Sequence, residues 1–133
     1  MAQPRVRRRA TILIVENEAI IRLELAAELA DMGLRVLVAC DADDAIALLD
    51  ADPDISLLLT DITMPGSMDG VRLAHHVRDR WPPIKIIATS GRPGARLGDL
   101  PSGSLFFAKP YSPDIVRRVM APLLKETAAR RAA

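Results

Sequence analysis

Four polar sets in this chain each stand at the end of an apolar run. Glu16 and Asn17 follow "TILIV", Asp61 follows "SLLLT", Thr89 and Ser90 close "IKIIATS", and Lys109 follows "LFFA". Brought together, they could do specific chemistry. Asp61, Glu16 and the Asn17 amide oxygen are hard oxygen donors of the kind Mg²⁺ takes alongside water and phosphate. A carboxylate beside such a cation can also act as a nucleophile towards a phosphoryl group, giving an aspartyl phosphate. The added oxygens would need partners, and the Lys109 ammonium and the Thr89 hydroxyl are suitable ones. A lone Asp at a strand end is usually a turn residue, so Asp61 by itself is either the first polar residue of a loop or a working group. Agreement among four run ends gives the second reading its weight.

The elements that would position these groups alternate in type. "ATILIVE" reads as a strand. From Glu18 the period changes, and Ile21, Leu25, Leu29 and Met32 fall on one helical face. Gly33 stands where a helix end favours positive φ. "LRVLVAC" is a second strand, and Cys40 at its end reads as a small core residue. Asp41 or Asp43 can cap a second helix reaching about Asp50, and Pro53 prevents its continuation. "ISLLLT" is a third strand. A third helix from about Gly70 to Arg80 turns Val71, Ala74 and Val77 inward and stops at "WPP". "IKIIATS" and "LFFA" are the fourth and fifth strands. Ser112 and Pro113 then form an N-cap and first residue of a last helix. Pro122 should kink or end that helix near Met120, or make it restart.

Short apolar strands alternating with helices predict a parallel sheet covered on both faces. Right-handed crossovers restrict it to a few doubly wound forms, whose sites lie beyond the carboxyl ends of the strands. That rule gathers Glu16, Asn17, Asp61, Thr89, Ser90 and Lys109 at one edge.

The remaining composition narrows the setting. The 133 residues suit one domain large enough to fold without disulfides or a structural metal. A net charge of +1 gives the body no strong field for nucleic acid. A single cysteine cannot form an internal bridge, which fits a reducing cytoplasm. The opening "MAQPRVRRRA" carries four arginines and reads as a solvated basic tail over residues 1–10. The apolar stretch after it is too short for a secretory signal or a membrane span. His75 and His76 are adjacent and would point in different directions, so they read as surface or rim residues.

The stretches "ILIVENE", "LLLTDITMPGSMDG", "IIATSG" and "FFAKPY" occur in an order and at spacings that resemble a response-regulator receiver domain, the phosphoacceptor module of two-component signalling. The resemblance covers roughly residues 11–125, leaving 126–133 as a C-terminal tail. It implies a flavodoxin-like, five-stranded parallel sheet in the order 2-1-3-4-5 with five helices. It makes Asp61 the phosphoacceptor and Glu16 an acidic-pocket residue, with the Thr63 backbone carbonyl a further ligand of Mg²⁺. Thr89 becomes the hydroxyl that follows the phosphoryl group and Lys109 the pairing lysine, with a cis peptide before Pro110. Phe106 becomes the aromatic whose position reports the switch, and Phe107 a core residue.

This chain departs from the family pattern in three places. Asn17 stands where a metal-ligating aspartate is usual, which predicts weaker Mg²⁺ binding. The loop after Asp61 is one residue longer than the common spacing, at Gly66 or Ser67. Between Ser90 and Leu105, "GRPGARLGDLPSGS" has four glycines and two prolines. Those predict a shortened or irregular fourth helix between the fourth and fifth strands.

Three functions compete. The first is a single-domain response regulator, not an enzyme, that accepts a phosphoryl group from a histidine kinase or histidine phosphotransfer protein and signals by protein–protein contact. Only 24 residues follow Lys109, so no direct DNA binding is expected; the downstream partner is unspecified and a homodimer is possible. The second is a pseudo-receiver, an interaction module freed from phosphorylation by Asn17; the presence of Asp61, Thr89 and Lys109 argues against it. The third is an aspartyl-phosphate phosphatase of the haloacid-dehalogenase type. It would need an acid two residues after Asp61, where Thr63 stands. A flavin or mononucleotide site fails because the first strand–helix turn, "ENEA", has no glycine loop.

Overall fold

The five apolar runs become five parallel strands. They are β1 (Thr11–Val15), β2 (Arg35–Ala39), β3 (Ile55–Asp61), β4 (Lys85–Ser90) and β5 (Leu105–Ala108), in the order β2-β1-β3-β4-β5. The computed structural model describes residues 9–91 and 97–132. The basic tail and the first part of the β4–β5 connection therefore lie largely outside the described residues. Between the strands run α1 (Ala19–Asp31), α2 (Ala42–Ala51) and α3 (Gly70–Arg80), and α4 (Pro113–Ala132) follows β5. No helix among the described residues is long and apolar enough to cross a membrane.

The strands read as continuous apolar runs because both faces are covered. Leu13, Val15, Leu58 and Ile86 face a core closed by α2 and α3. Ile12, Ile14, Leu57, Leu59, Ile87 and Phe107 face a second core closed by α1 and α4. Alternation along each strand thus feeds two cores, and a one-residue slip would exchange them.

Local chemistry sets the helix ends. Gly33, at φ +90°, ends α1 and donates its N–H to Ala30 O at 2.9 Å. The Asp41 carboxylate caps α2 by accepting from Asp44 N at 2.9 Å, and Asp69 does the same for α3 through Arg72 N at 2.9 Å. Ser112 Oγ accepts from Ile115 N at 3.3 Å and starts α4, with Pro113 its first residue.

Several expectations need correction. Cys40 is exposed rather than in the core, because β2 is an edge strand and ends at Ala39. Its thiol donates to Asp44 Oδ2 at 2.8 Å, and that bond raises its pKa. On α3 the fully buried residues include Leu73 beside Ala74 and Val77, while Val71 is half-buried. The inward face is therefore rotated from the one predicted. Helix α4 neither ends nor restarts at Pro122. Pro122 is exposed, and buried Met120 and Leu123 hold the helix to the core on either side. The same helix runs on through residues 126–132, and Thr127 is buried, where the sequence suggests a tail. In the β4–β5 connection the described residues hold a single 3₁₀ turn, Leu97–Asp99, in place of a long helix. That outcome follows the glycine and proline content.

Candidate functional site

Three strand ends deliver charge to one point. Glu16 follows β1, Asp61 is the last residue of β3, and Lys109 follows β5. Lys109 Nζ donates to Glu16 at 3.0 Å (Oε1) and 3.1 Å (Oε2), and to Asp61 Oδ2 at 2.8 Å. Both carboxylates are withdrawn from water, Glu16 at 1% exposure and Asp61 at 7%. The other Asp61 oxygen, Oδ1, accepts from Thr63 N at 3.1 Å, so each oxygen of the carboxylate has its own donor.

Backbone bonds fix this arrangement. Thr89 stands opposite Asp61 in the β3–β4 register, is buried, and accepts Ile62 N at its carbonyl at 2.8 Å. Lys109 N donates to Ser90 O at 2.8 Å, and Glu16 N to Ala39 O at 3.1 Å. The Lys109–Pro110 peptide is cis, as the sequence resemblance implies.

Burial and charge oppose each other here. Burial pushes the Glu16 carboxyl above its ordinary value, against the bonds and charge of Lys109, while the Asp61 charge adds to the rise. For Lys109, burial works against the ammonium, yet the bonds to Asp61 and Glu16 outweigh it and leave the pKa raised. The pocket therefore holds one positive charge shared by two buried carboxylates.

That geometry bears on a metal. Two carboxylates already converge on a single cationic nitrogen, and the donors are hard oxygens, so the residues fit a small divalent cation. Asn17, the residue after Glu16, and Thr63, whose N–H bonds Asp61, are both exposed. Elsewhere among the described residues, Cys40, Asp41 and Asp44 bring ligand atoms within 4.8 Å of one another on the surface. The other sequence-predicted residue, Phe106, is half-buried and lines a groove of about 420 Å³ with Leu105, Arg118, Val119 and Pro122.

Sequence reading missed two supports. Gly70 opens α3 directly against the acceptor strand: a Cβ there would lie 1.9 Å from Asp61 O and 2.7 Å from Ile62 Cα. A glycine as the first residue of a helix was the available signal, since propensity disfavours it. Arg22, one turn into α1, donates to Glu16 O at 2.8 Å and ties down the turn that carries Glu16 and Asn17. Nothing in the sequence distinguishes that arginine from a surface one. Tyr111 is half-buried beside the pocket-bearing strand β5. Its ring meets Phe107 edge-on at 4.8 Å, and its hydroxyl is buried without a partner among the described residues. Burial and the nearby acids push its pKa up.

The family model for the response regulator receiver domain matches residues 12–97, more than half of the chain. The hydrogenase transcriptional regulatory protein HoxA of Cupriavidus necator is 42% identical over 84 residues, covering 63% of this chain and 17% of HoxA. The regulator of RpoS of Escherichia coli is 36% identical over 91 residues, covering 68% of this chain and 26% of that protein. The chain thus spans about a quarter or less of the length of these relatives. A response regulator receiver protein from Sinorhizobium medicae superposes with a TM-score of 0.81 at 26% identity, over 88% of this chain and 95% of that one. The chain belongs to the response regulator receiver domain family, signalling modules of two-component systems.

Proposed function

We propose that this receiver domain accepts a phosphoryl group on Asp61 from a histidine kinase or histidine phosphotransfer protein. The observation that carries this reading is the Lys109 ammonium, shared by Asp61 and Glu16 at hydrogen-bond distance in a buried pocket. An Asp61 oxygen bonds to phosphorus as the P–N bond of the donor's phosphoimidazole breaks. The leaving nitrogen takes that electron pair and is then protonated. Glu16, Asn17, Asp61 and the Thr63 carbonyl would hold Mg²⁺, which supplies charge neutralisation for the transferring oxygens. Lys109 orients the acceptor and then pairs with a phosphoryl oxygen, and the Thr89 hydroxyl donates to another.

The modified carboxylate biases an equilibrium between two conformations, because only one of them satisfies the new oxygens. Phe106 changes position with Thr89, and the altered surface is read by a protein partner. The test is intact-protein mass after incubation with acetyl phosphate and Mg²⁺, beside Asp61→Asn. A gain of one phosphoryl group that the variant loses supports the assignment. Persistent labelling of the variant would put the acceptor at another residue, and no gain even with a cognate donor would leave an interaction module independent of phosphorylation.

A further inference from the structure

In place of a long helix, the described end of the β4–β5 connection is tied to α3 by side chains. His75 Nε2–H donates to the Asp99 carbonyl, and Arg78 Nη1 donates to Ser102 O at 2.6 Å. The donors are three residues apart on α3 and the acceptors three residues apart on the connection, so one helix face grips one stretch of backbone. The stretch has its own order: Pro101 is buried, Leu100 packs on the α2–α3 core, and Ser104 N and Oγ both donate to Pro101 O, at 3.1 and 2.6 Å. At its other end α3 is seated on the acceptor strand, where Gly70 N donates to Ile62 O at 2.8 Å and leaves no room for a Cβ beside Asp61 O. The same helix therefore touches Asp61 through its first residue and holds the connection through its middle. That connection joins Thr89 to Phe106.

We propose that His75 and Arg78 form a latch that holds residues 99–102 in the resting position, and that modification of Asp61 releases it. The inference rests on the phosphoacceptor reading above. A phosphoryl group on Asp61 draws the end of β4 towards it through Thr89, while α3 stays fixed by its backbone contact at Gly70. The connection must then move relative to the helix that grips it. Both latch bonds are exposed, so breaking them costs little and a modest bias suffices.

The test is hydrogen–deuterium exchange of the full chain, before and after treatment with acetyl phosphate and Mg²⁺, for the wild type and His75→Ala/Arg78→Ala. Modification should speed exchange of residues 99–104 about tenfold, the scale set by two exposed hydrogen bonds. The double variant should show the same rise without modification and little further rise with it. It should also gain the phosphoryl group several-fold faster, because the acceptor-competent conformation is no longer held back. His75→Gln/Arg78→Lys, which keeps a donor at each position, should restore both values towards wild type. Mass gain with unchanged exchange at 99–104 overturns the latch alone. So does a double variant that exchanges faster but is modified at the wild-type rate, since that is a merely structural tether. No mass gain in the wild type, from acetyl phosphate or from a cognate donor, overturns the acceptor reading and the latch with it.

Discussion

The pocket at the strand ends and the connection between β4 and β5 are held by different means. In the pocket, charges sit on the ends of buried strands, and every backbone that carries them is locked into the sheet or onto it. In the connection, a 3₁₀ turn and a short stretch of coil are held by side chains reaching across from α3. Under the proposed function, the difference supplies the two regimes that a switch needs in one fold. The chemistry requires groups that do not wander, whereas the readout requires a segment whose position is set by a few weak bonds. Local stability is drawn accordingly from opposite ends of the range.

Substitutions can break or sharpen that contrast. The largest effect is expected at Lys109. Lys109→Ala removes the cation from two buried carboxylates and should destabilise by about 3–5 kcal/mol at neutral pH, read by urea denaturation. The loss should shrink as pH falls. A carboxyl whose folded pKa is raised, as for Glu16, stabilises the fold below its ordinary value, and that contribution is lost as pH rises through the folded value. Acidification therefore neutralises what the missing ammonium left exposed. In the wild type, the raised Lys109 pKa works at the other end: its contribution persists below the ordinary lysine value and disappears as pH rises through the folded one. A penalty that does not change with pH would mean that the two carboxylates are not the cause.

Gly70→Ala should come next, at roughly 1–3 kcal/mol, since a Cβ must displace the Asp61 carbonyl or the start of α3. A neutral result in the same denaturation experiment would mean that the seat of α3 on the acceptor strand is soft, and the contrast between the regions would weaken. The smallest effect belongs to the connection. Ser104→Ala removes one side-chain bond to Pro101 O and should cost about 0.5–1 kcal/mol. A cost as large as that of Gly70→Ala would put the connection in the same rigid regime as the pocket.

Much of the pocket is readable in the chain because its logic is local. Asp61, Glu16 and Lys109 each end an apolar run, and parallel topology carries run ends to one edge whatever the details. The errors fall where the neighbours decide. Cys40 continues an apolar run, but the strand it follows lies at the sheet edge, and no pattern within those residues says so. Val71 and Leu73 are both apolar, and only the seating of α3 on β3 selects Leu73. Pro122 breaks helices in general, yet here packing on both sides and water on its own face let α4 run through it.

By itself, then, the sequence determined the alternation of strands and helices, the parallel sheet, the edge that carries the charges and the irregularity of the described end of the β4–β5 connection. Those depend on hydrophobic period, on glycine and proline, and on which polar residue ends each run. Tertiary structure decided the rest. It shared one ammonium between two carboxylates, seated Gly70 against Asp61, tied Arg22 to the Glu16 turn and fastened the connection to α3. These are contacts between residues 6 to 93 positions apart. Their existence depends on where whole elements pack, which no local pattern of residues encodes.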